Sequence, residues 1–145
     1  LKALSAKGMN HEGTKTQREP VGESLELLAR EVVDASFQVH KTLGPGLLES
    51  VCEACLCHEL KKRNVPFRRQ VVLPVVYDGM EIEAGLRIDL IVNDALVVEL
   101  KAVDDLCDVH KAQLMTYMKL TRSRLGLSIN FNVPVIKQGI RRVIL

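Results

Sequence analysis

Residues 87–101 read Arg-Ile-Asp-Leu-Ile-Val-Asn-Asp-Ala-Leu-Val-Val-Glu-Leu-Lys. Two apolar runs flank a polar turn at Asn93-Asp94, the pattern of a β-hairpin. A two-residue loop would send Asp89 and Glu99 to opposite faces, because strand side chains alternate. A three-residue loop, Asn93-Asp94-Ala95, pairs Val92 with Leu96, Leu90 with Val98 and Ile88 with Leu100. One face is then wholly apolar. The other carries Asp89 beside Glu99, Arg87 beside Lys101 and Ile91 beside Val97. Asn and Asp tolerate the left-handed backbone such a loop needs. The three-residue register sorts apolar from charged residues and is the one expected.

Two carboxylates and a lysine on one sheet face are costly to bury without partners. A hard divalent cation, Mg2+ or Mn2+, suits oxygen ligands, keeps several waters and accepts phosphate oxygens. Such an ion activates water and polarises a phosphodiester, while a lysine stabilises developing charge. The plainer alternative is a surface pair, Glu99 with Lys101, beside a solvated Asp89.

The 145 residues suffice for one domain with a real core, and 47% hydrophobic with 26% charged residues is ordinary for a globular protein. Aromatics make up 3% with no Trp, which argues against a base-stacking platform. The net charge of +2 sets up no strong basic field, and the pairs Arg68-Arg69, Arg122 with Arg124 and Arg141-Arg142 read as solvated edges. No apolar run is long enough to span a membrane and no signal peptide opens the chain, so a cytoplasmic location is expected. Cys52, Cys55 and Cys57 crowd one helix as small hydrophobes. Cys52-x-x-Cys55 lacks the second pair that a zinc site needs.

Residues 1–22 are polar and without apolar period, and read as a flexible tail. Residues 1–8 read as upstream or appended sequence, with Met9 a candidate start, and 23–145 as a single domain. Ser24 can cap a helix to about Thr42 whose stripe is Leu25, Leu28, Val32, Ala35, Val39 and Leu43. His40 beside that stripe reads as structural. After Gly44-Pro45-Gly46 a second helix runs from about Leu47 to Arg63, with Leu48, Val51, Cys52 and Cys55 as its apolar side and Glu49 and Glu53 sharing another. Strands follow at Phe67–Tyr77 and Met80–Ala84, joined by Asp78-Gly79, with Pro74 at an edge or bulge. Asp104-Asp105 can start a helix over Leu106–Leu120, where Leu106, His110, Gln113, Tyr117 and Leu120 align. Gln and Tyr on a buried stripe need polar partners. Arg124–Phe131 and Gly139–Leu145 read as the last strands.

Asp89, then Glu99-Leu100-Lys101 on the next strand, then Gln113-x-x-x-Tyr117 on the following helix resemble the PD-(D/E)XK nuclease superfamily. Gly46-Leu-Leu-Glu49-Ser-Val-Cys52 resembles the signature of the small GxxExxY family, as do Gly44-Pro45-Gly46, Val98–Ala102, Ala112-Gln113-Leu114 with Tyr117, and Asn130-Phe131-Asn132-Val133-Pro134. The resemblance covers residues 25–145. It implies an α/β fold with a restriction-endonuclease-like αβββαβ core, a mixed β-sheet flanked by helices. It also implies that Asp89, Glu99 and the Leu100 carbonyl hold Mg2+ (or Mn2+), that Lys101 acts beside the scissile phosphate, and that Glu49, Gln113 and Tyr117 complete the site. The implied activity is hydrolysis of nucleic acid, DNA favoured, with a homodimer as a route to greater reach. One departure stands out: Cys52 occupies the signature tyrosine position and cannot supply a phenol's hydrogen bond. The alternative reading is a nuclease-fold module that binds nucleic acid or protein with little or no catalysis.

Overall fold

The computed structural model describes residues 20–145, and the tail expected over 1–22 lies outside them as far as residue 19. Helices α1 (Glu23–Leu43) and α2 (Glu49–Lys62) come first. Strands β1 (Phe67–Tyr77), β2 (Met80–Val92) and β3 (Leu96–Lys101) follow, then α3 (Asp108–Thr121), β4 (Leu125–Asn130), a 3-10 turn (Ile136–Gly139) and β5 (Ile140–Ile144). The five strands form one sheet in sequence order. Only β3 and β4 are parallel, as a crossover through α3 requires, and the other neighbours are antiparallel. From α2 to β4 the order is αβββαβ, the expected restriction-endonuclease-like core in a mixed sheet.

Apolar side chains cover both sheet faces. Leu90, Val92, Leu96, Val98, Leu100, Leu127 and Ile129 pack under α1 and α2 with Val32, Val39, Leu56 and Leu60. Ile91 and Val97 pack under α3 with Leu114, Tyr117 and Met118. The β2–β3 turn has the expected register, with Val92 opposite Leu96, Ile91 opposite Val97 and Leu90 opposite Val98. Asn93 and Asp94 both take left-handed φ, 50° and 52°. Asp78-Gly79 turns β1 into β2 with φ of 50° and 78°. Pro74 lies at the expected irregularity, a register shift between Leu73 and Val75.

Several local expectations are corrected. Met80–Ala84 and the strand through Asp89 are one continuous β2, because Gly85 lets the backbone cross the bulge. A Cβ at Gly85 would lie 1.8 Å from the Leu73 carbonyl oxygen. Ile88 does not face the same way as Leu90 but joins Ile91 and Val97 under α3. The cause lies in the neighbouring strand, where Gln70 adopts φ of 51° between the pairs Arg69–Leu90 and Val71–Ile88. A left-handed residue inside a strand interrupts the period-two alternation, and here the interruption stands beside Asp89.

Helix α2 is rotated from its expected setting. Leu48 and Val51 are exposed, while Cys52, Glu53, Leu56, Cys57 and Leu60 are buried. Helix α3 starts at Asp108 rather than near Asp104-Asp105, and Leu120 is exposed while Leu114 and Met118 join Tyr117 in the core. Asn130 explains the later start. Its Oδ1 accepts the Val103 N–H at 3.1 Å and its Nδ2 donates to the Val103 carbonyl at 2.8 Å, which holds the residues after β3 out of a helix. His40 is structural as expected: its Nε2 donates to the Val133 carbonyl at 2.7 Å.

Candidate active site

The site lies where β2 and β3 stop pairing. Beyond Leu90–Val98 no further bridge joins them, and their side chains take over the backbone donors. The Asp89 N–H donates to Glu99 Oε1 at 3.0 Å, and the Leu100 N–H donates to Asp89 Oδ2 at 2.8 Å. Each carboxylate thus caps the backbone of the other's strand. The three-residue loop puts the two side by side, and burial then acts on both. Glu99 is only 3% exposed. Its carboxyl is pushed up to about 8, first by burial and then by the charge of Asp89. Asp89 is raised as well, chiefly by burial, although the Leu100 N–H opposes the shift.

Lys101 follows two residues later on the same face, half-buried, and its Nζ donates to Gln113 Oε1 at 2.8 Å. Gln113 Nε2 in turn donates to the Tyr117 hydroxyl at 3.3 Å. The i, i+4 spacing on α3 makes that second contact possible. Tyr117 is buried, and its hydroxyl is raised by burial and by the negative charge of Glu99. The Lys101 carbonyl accepts the Phe131 N–H at 3.0 Å, so the end of β3 is fixed from the β4 side.

Helix α2 supplies the remaining carboxylates. The loop before it is tied to the sheet where the Gly46 N–H donates to Asn132 Oδ1 at 3.1 Å. Gly46 has φ of 91°, a conformation that disfavours any side chain. Glu49, in the first turn of α2, is exposed and makes no hydrogen bond among the described residues. It nonetheless feels the site: its carboxyl is raised by partial burial and by Asp89, while Lys101 acts in the opposite direction.

Sequence reasoning missed the inner carboxylate, Glu53. One turn further along α2, it is 6% exposed, accepts from Arg69 Nε at 2.9 Å and is bonded by Gln70 Nε2. Gln70 also reaches Asp89 Oδ1 at 3.4 Å. The left-handed backbone of Gln70 therefore sits where one amide links two acids. The signal was present in the i, i+4 pair Glu49–Glu53, because like charges so spaced destabilise a helix unless something answers them.

The structure places two hydrogen-bonded groups side by side, Asp89 with Glu99 and Lys101 with Gln113 and Tyr117, which feel each other's charge, with Glu49 at the rim. Leu100 contributes its N–H to Asp89 and its side chain to the core. Asp89 and Glu99 form no ion pair among the described residues. Among the described residues no three His, Cys, Asp or Glu side chains cluster as a self-sufficient metal cage. Mg2+ needs none, since one or two carboxylates with waters and a substrate phosphate complete its shell. The donor set fits such an ion. Cysteine chemistry is disfavoured: burial pushes the Cys57 thiol up to about 11 and raises Cys52 as well, away from the reactive thiolate. Cys52 itself packs in the core between the sheet and helices α1 and α2.

The deciding comparison is with known families, where the profile of the PD-(D/E)XK nuclease superfamily matches residues 26–143. The chain belongs to that superfamily. Membership supports a nuclease-type function and implies a nucleic-acid substrate, and PD-(D/E)XK nucleases generally use divalent metals. No curated protein and no solved structure matches the chain significantly. Among the described residues no helix is long and apolar enough to cross a membrane.

Proposed function

We propose that this PD-(D/E)XK chain is a metal-dependent nuclease of the GxxExxY type that hydrolyses phosphodiester bonds, with DNA the favoured substrate. One observation carries the reading. Asp89 and Glu99 are held against each other, both raised by burial, with no ion pair to either among the described residues and with the charge of Lys101 close enough to oppose the shift. Burial at this cost has no structural return in a plain scaffold.

Asp89, Glu99 and the Leu100 carbonyl would hold Mg2+ or Mn2+, which supplies positive charge at the phosphate oxygens and an activated water. Lys101 donates a proton-bearing nitrogen to the charge that develops on the phosphate. Gln113 holds that nitrogen at 2.8 Å and is itself bonded to Tyr117, so the lysine is aimed rather than free. Glu49 adds a carboxylate at the solvent edge, where an attacking water enters. The working domain is residues 23–145, in a cytoplasmic setting. A homodimer is the partner proposal, and Val76, Tyr77 and Met80, exposed at the outer end of the β1–β2 hairpin, give it an apolar surface.

Cleavage of DNA and RNA substrates with Mg2+ or Mn2+ tests the reading. The parent cuts, chelator stops it, and Asp89→Asn and Lys101→Ala abolish cutting while remaining folded. Cutting by either variant at the parent rate contradicts the site. Binding of nucleic acid or protein by the parent, unaffected by chelator and without cleavage, favours the non-catalytic module.

A further inference from the structure

The sheet carries the face of Glu99 onward to a second polar site. Glu99 is in register with Ser128 on β4, and Ser128 with Arg141 on β5. Residues in register on adjacent strands present side chains to the same face, about 4.8 Å apart per strand. Arg141 therefore stands roughly 10 Å from Glu99, two strands away. Between Arg141 and the start of α3 lies a cavity of about 210 Å³, walled also by His110, Lys111 and Ser128.

Ser128 is the first sign that the cavity is made for a ligand. It is 3% exposed, yet its hydroxyl makes no hydrogen bond among the described residues, and it faces the cavity. Its oxygen is open to the cavity, since no fully buried side-chain oxygen or nitrogen among the described residues lacks a partner, so a ligand entering there reaches it. Charge is the second. Among the described residues Lys111 has no carboxylate partner, and Arg141 donates to the carbonyls of Gln138 at 2.7 Å and Ile140 at 3.1 Å. Arg142, at the cavity edge, is already paired with Glu26. Among the described residues Asp108 is the one carboxylate on the wall, so Lys111 and Arg141, neither in an ion pair, face a single anion.

The N-terminus of α3 is the third. The first turn of this 14-residue helix borders the cavity; the Cys107 side chain already answers the His110 N–H in a capping box, which leaves the Asp108 and Val109 N–H groups without a partner among the described residues. The Cys107 N–H donates to His110 Nδ1 at 3.1 Å, which leaves the ring proton on Nε2 as another donor. The volume is below that of a drug-sized pocket and suits a single small anionic group.

We infer that this cavity binds a phosphate group of the nucleic-acid strand, held by Lys111, Arg141, the Ser128 hydroxyl and the first turn of α3. This rests on the nuclease reading for its source of phosphate. The site stands roughly 10 Å from Glu99, so it engages the backbone close to the scissile bond and not at it. The contact positions the strand and reads no base.

Inorganic phosphate, titrated into the metal-free full chain and followed by amide NMR, tests the site without any cleavage. The expected result is saturable shifts in residues 107–111 and Ser128, lost in Lys111→Ala/Arg141→Gln; Ser128→Ala, a smaller change to the fold, weakens them severalfold. Absent shifts, or shifts equal in the double variant, overturn the site. DNA oligonucleotides added under chelator then distinguish the source. They displace phosphate, and the double variant binds DNA with a log–log salt slope shallower by roughly 1.5 to 2, as two lost phosphate contacts require. Phosphate binding that DNA does not displace, with an unchanged slope, assigns the cavity to free phosphate and overturns the strand reading. Failure of the nuclease reading shows elsewhere, as absent cleavage with phosphate and DNA binding intact.

Discussion

Glu53 and Glu99 are buried to nearly the same degree, 6% and 3% exposed, and differ in what answers their charge. Glu53 meets a guanidinium and an amide, Arg69 and Gln70, and is a closed ion pair. Glu99 meets a backbone N–H and another acid, and its carboxyl is pushed up to about 8. Burial alone therefore does not mark a functional carboxylate. On the proposed function, what separates Glu99 from Glu53 is that it has no ion-pair partner among the described residues.

Substitutions at the two glutamates test the contrast most strongly in activity. Glu99→Gln removes a proposed metal ligand and is expected to cut the cleavage rate roughly a thousandfold or more, since metal stabilisation of the transition state is worth several kcal/mol. Equal cleavage by this variant breaks the contrast. Gln113→Ala leaves the carboxylates in place but releases Lys101, so the rate should fall by roughly 10- to 100-fold with metal affinity little changed. Comparing kcat with the Mn2+ titration midpoint separates the two effects.

Glu53→Gln should act on stability instead. Arg69 is 44% exposed, so losing its partner costs about 1–2 kcal/mol rather than the full penalty of a buried pair. Urea unfolding measures it, and Mn2+ binding should persist. The pH dependence of the metal-free protein gives a further test. The folded-state value for Glu99 is raised above its ordinary 4.5, so the folded form holds its proton more tightly than the unfolded chain. The stability this gives is fully present below about pH 4.5 and is lost as pH rises through about 8. Thermal unfolding across that window should show the decline in the parent and a flatter profile in Glu99→Gln.

What the sequence made legible was the hairpin. Only one register of residues 87–101 gathers the charges, and that local sorting also placed Asp89, Glu99 and Lys101 together. Gln113 and Tyr117 were legible as an i, i+4 pair too polar for a core stripe, and the structure gives them Lys101 as the third member. The unread features depend on distant partners. The left-handed Gln70, and with it the reversal of Ile88, arises from the pairing of β1 with β2. Glu53 was legible only as sharing a helix face with Glu49, because its partners lie 16 and 17 residues away. Asp104-Asp105 has the local chemistry of a helix start, but Asn130, 27 residues on, holds Val103 by both amide groups and delays α3.

Calorimetric titration of Mn2+ into metal-free protein, in buffers of differing ionisation enthalpy, reaches the central claim most directly. At pH 7 the Asp89–Glu99 pair holds a proton that an incoming ion must displace. Binding accompanied by release of about one proton at pH 7, shrinking toward pH 9 and absent in Asp89→Asn, is the predicted result. Binding that releases no proton, or that Asp89→Asn leaves unchanged, contradicts the assignment of this pair as the metal-holding centre.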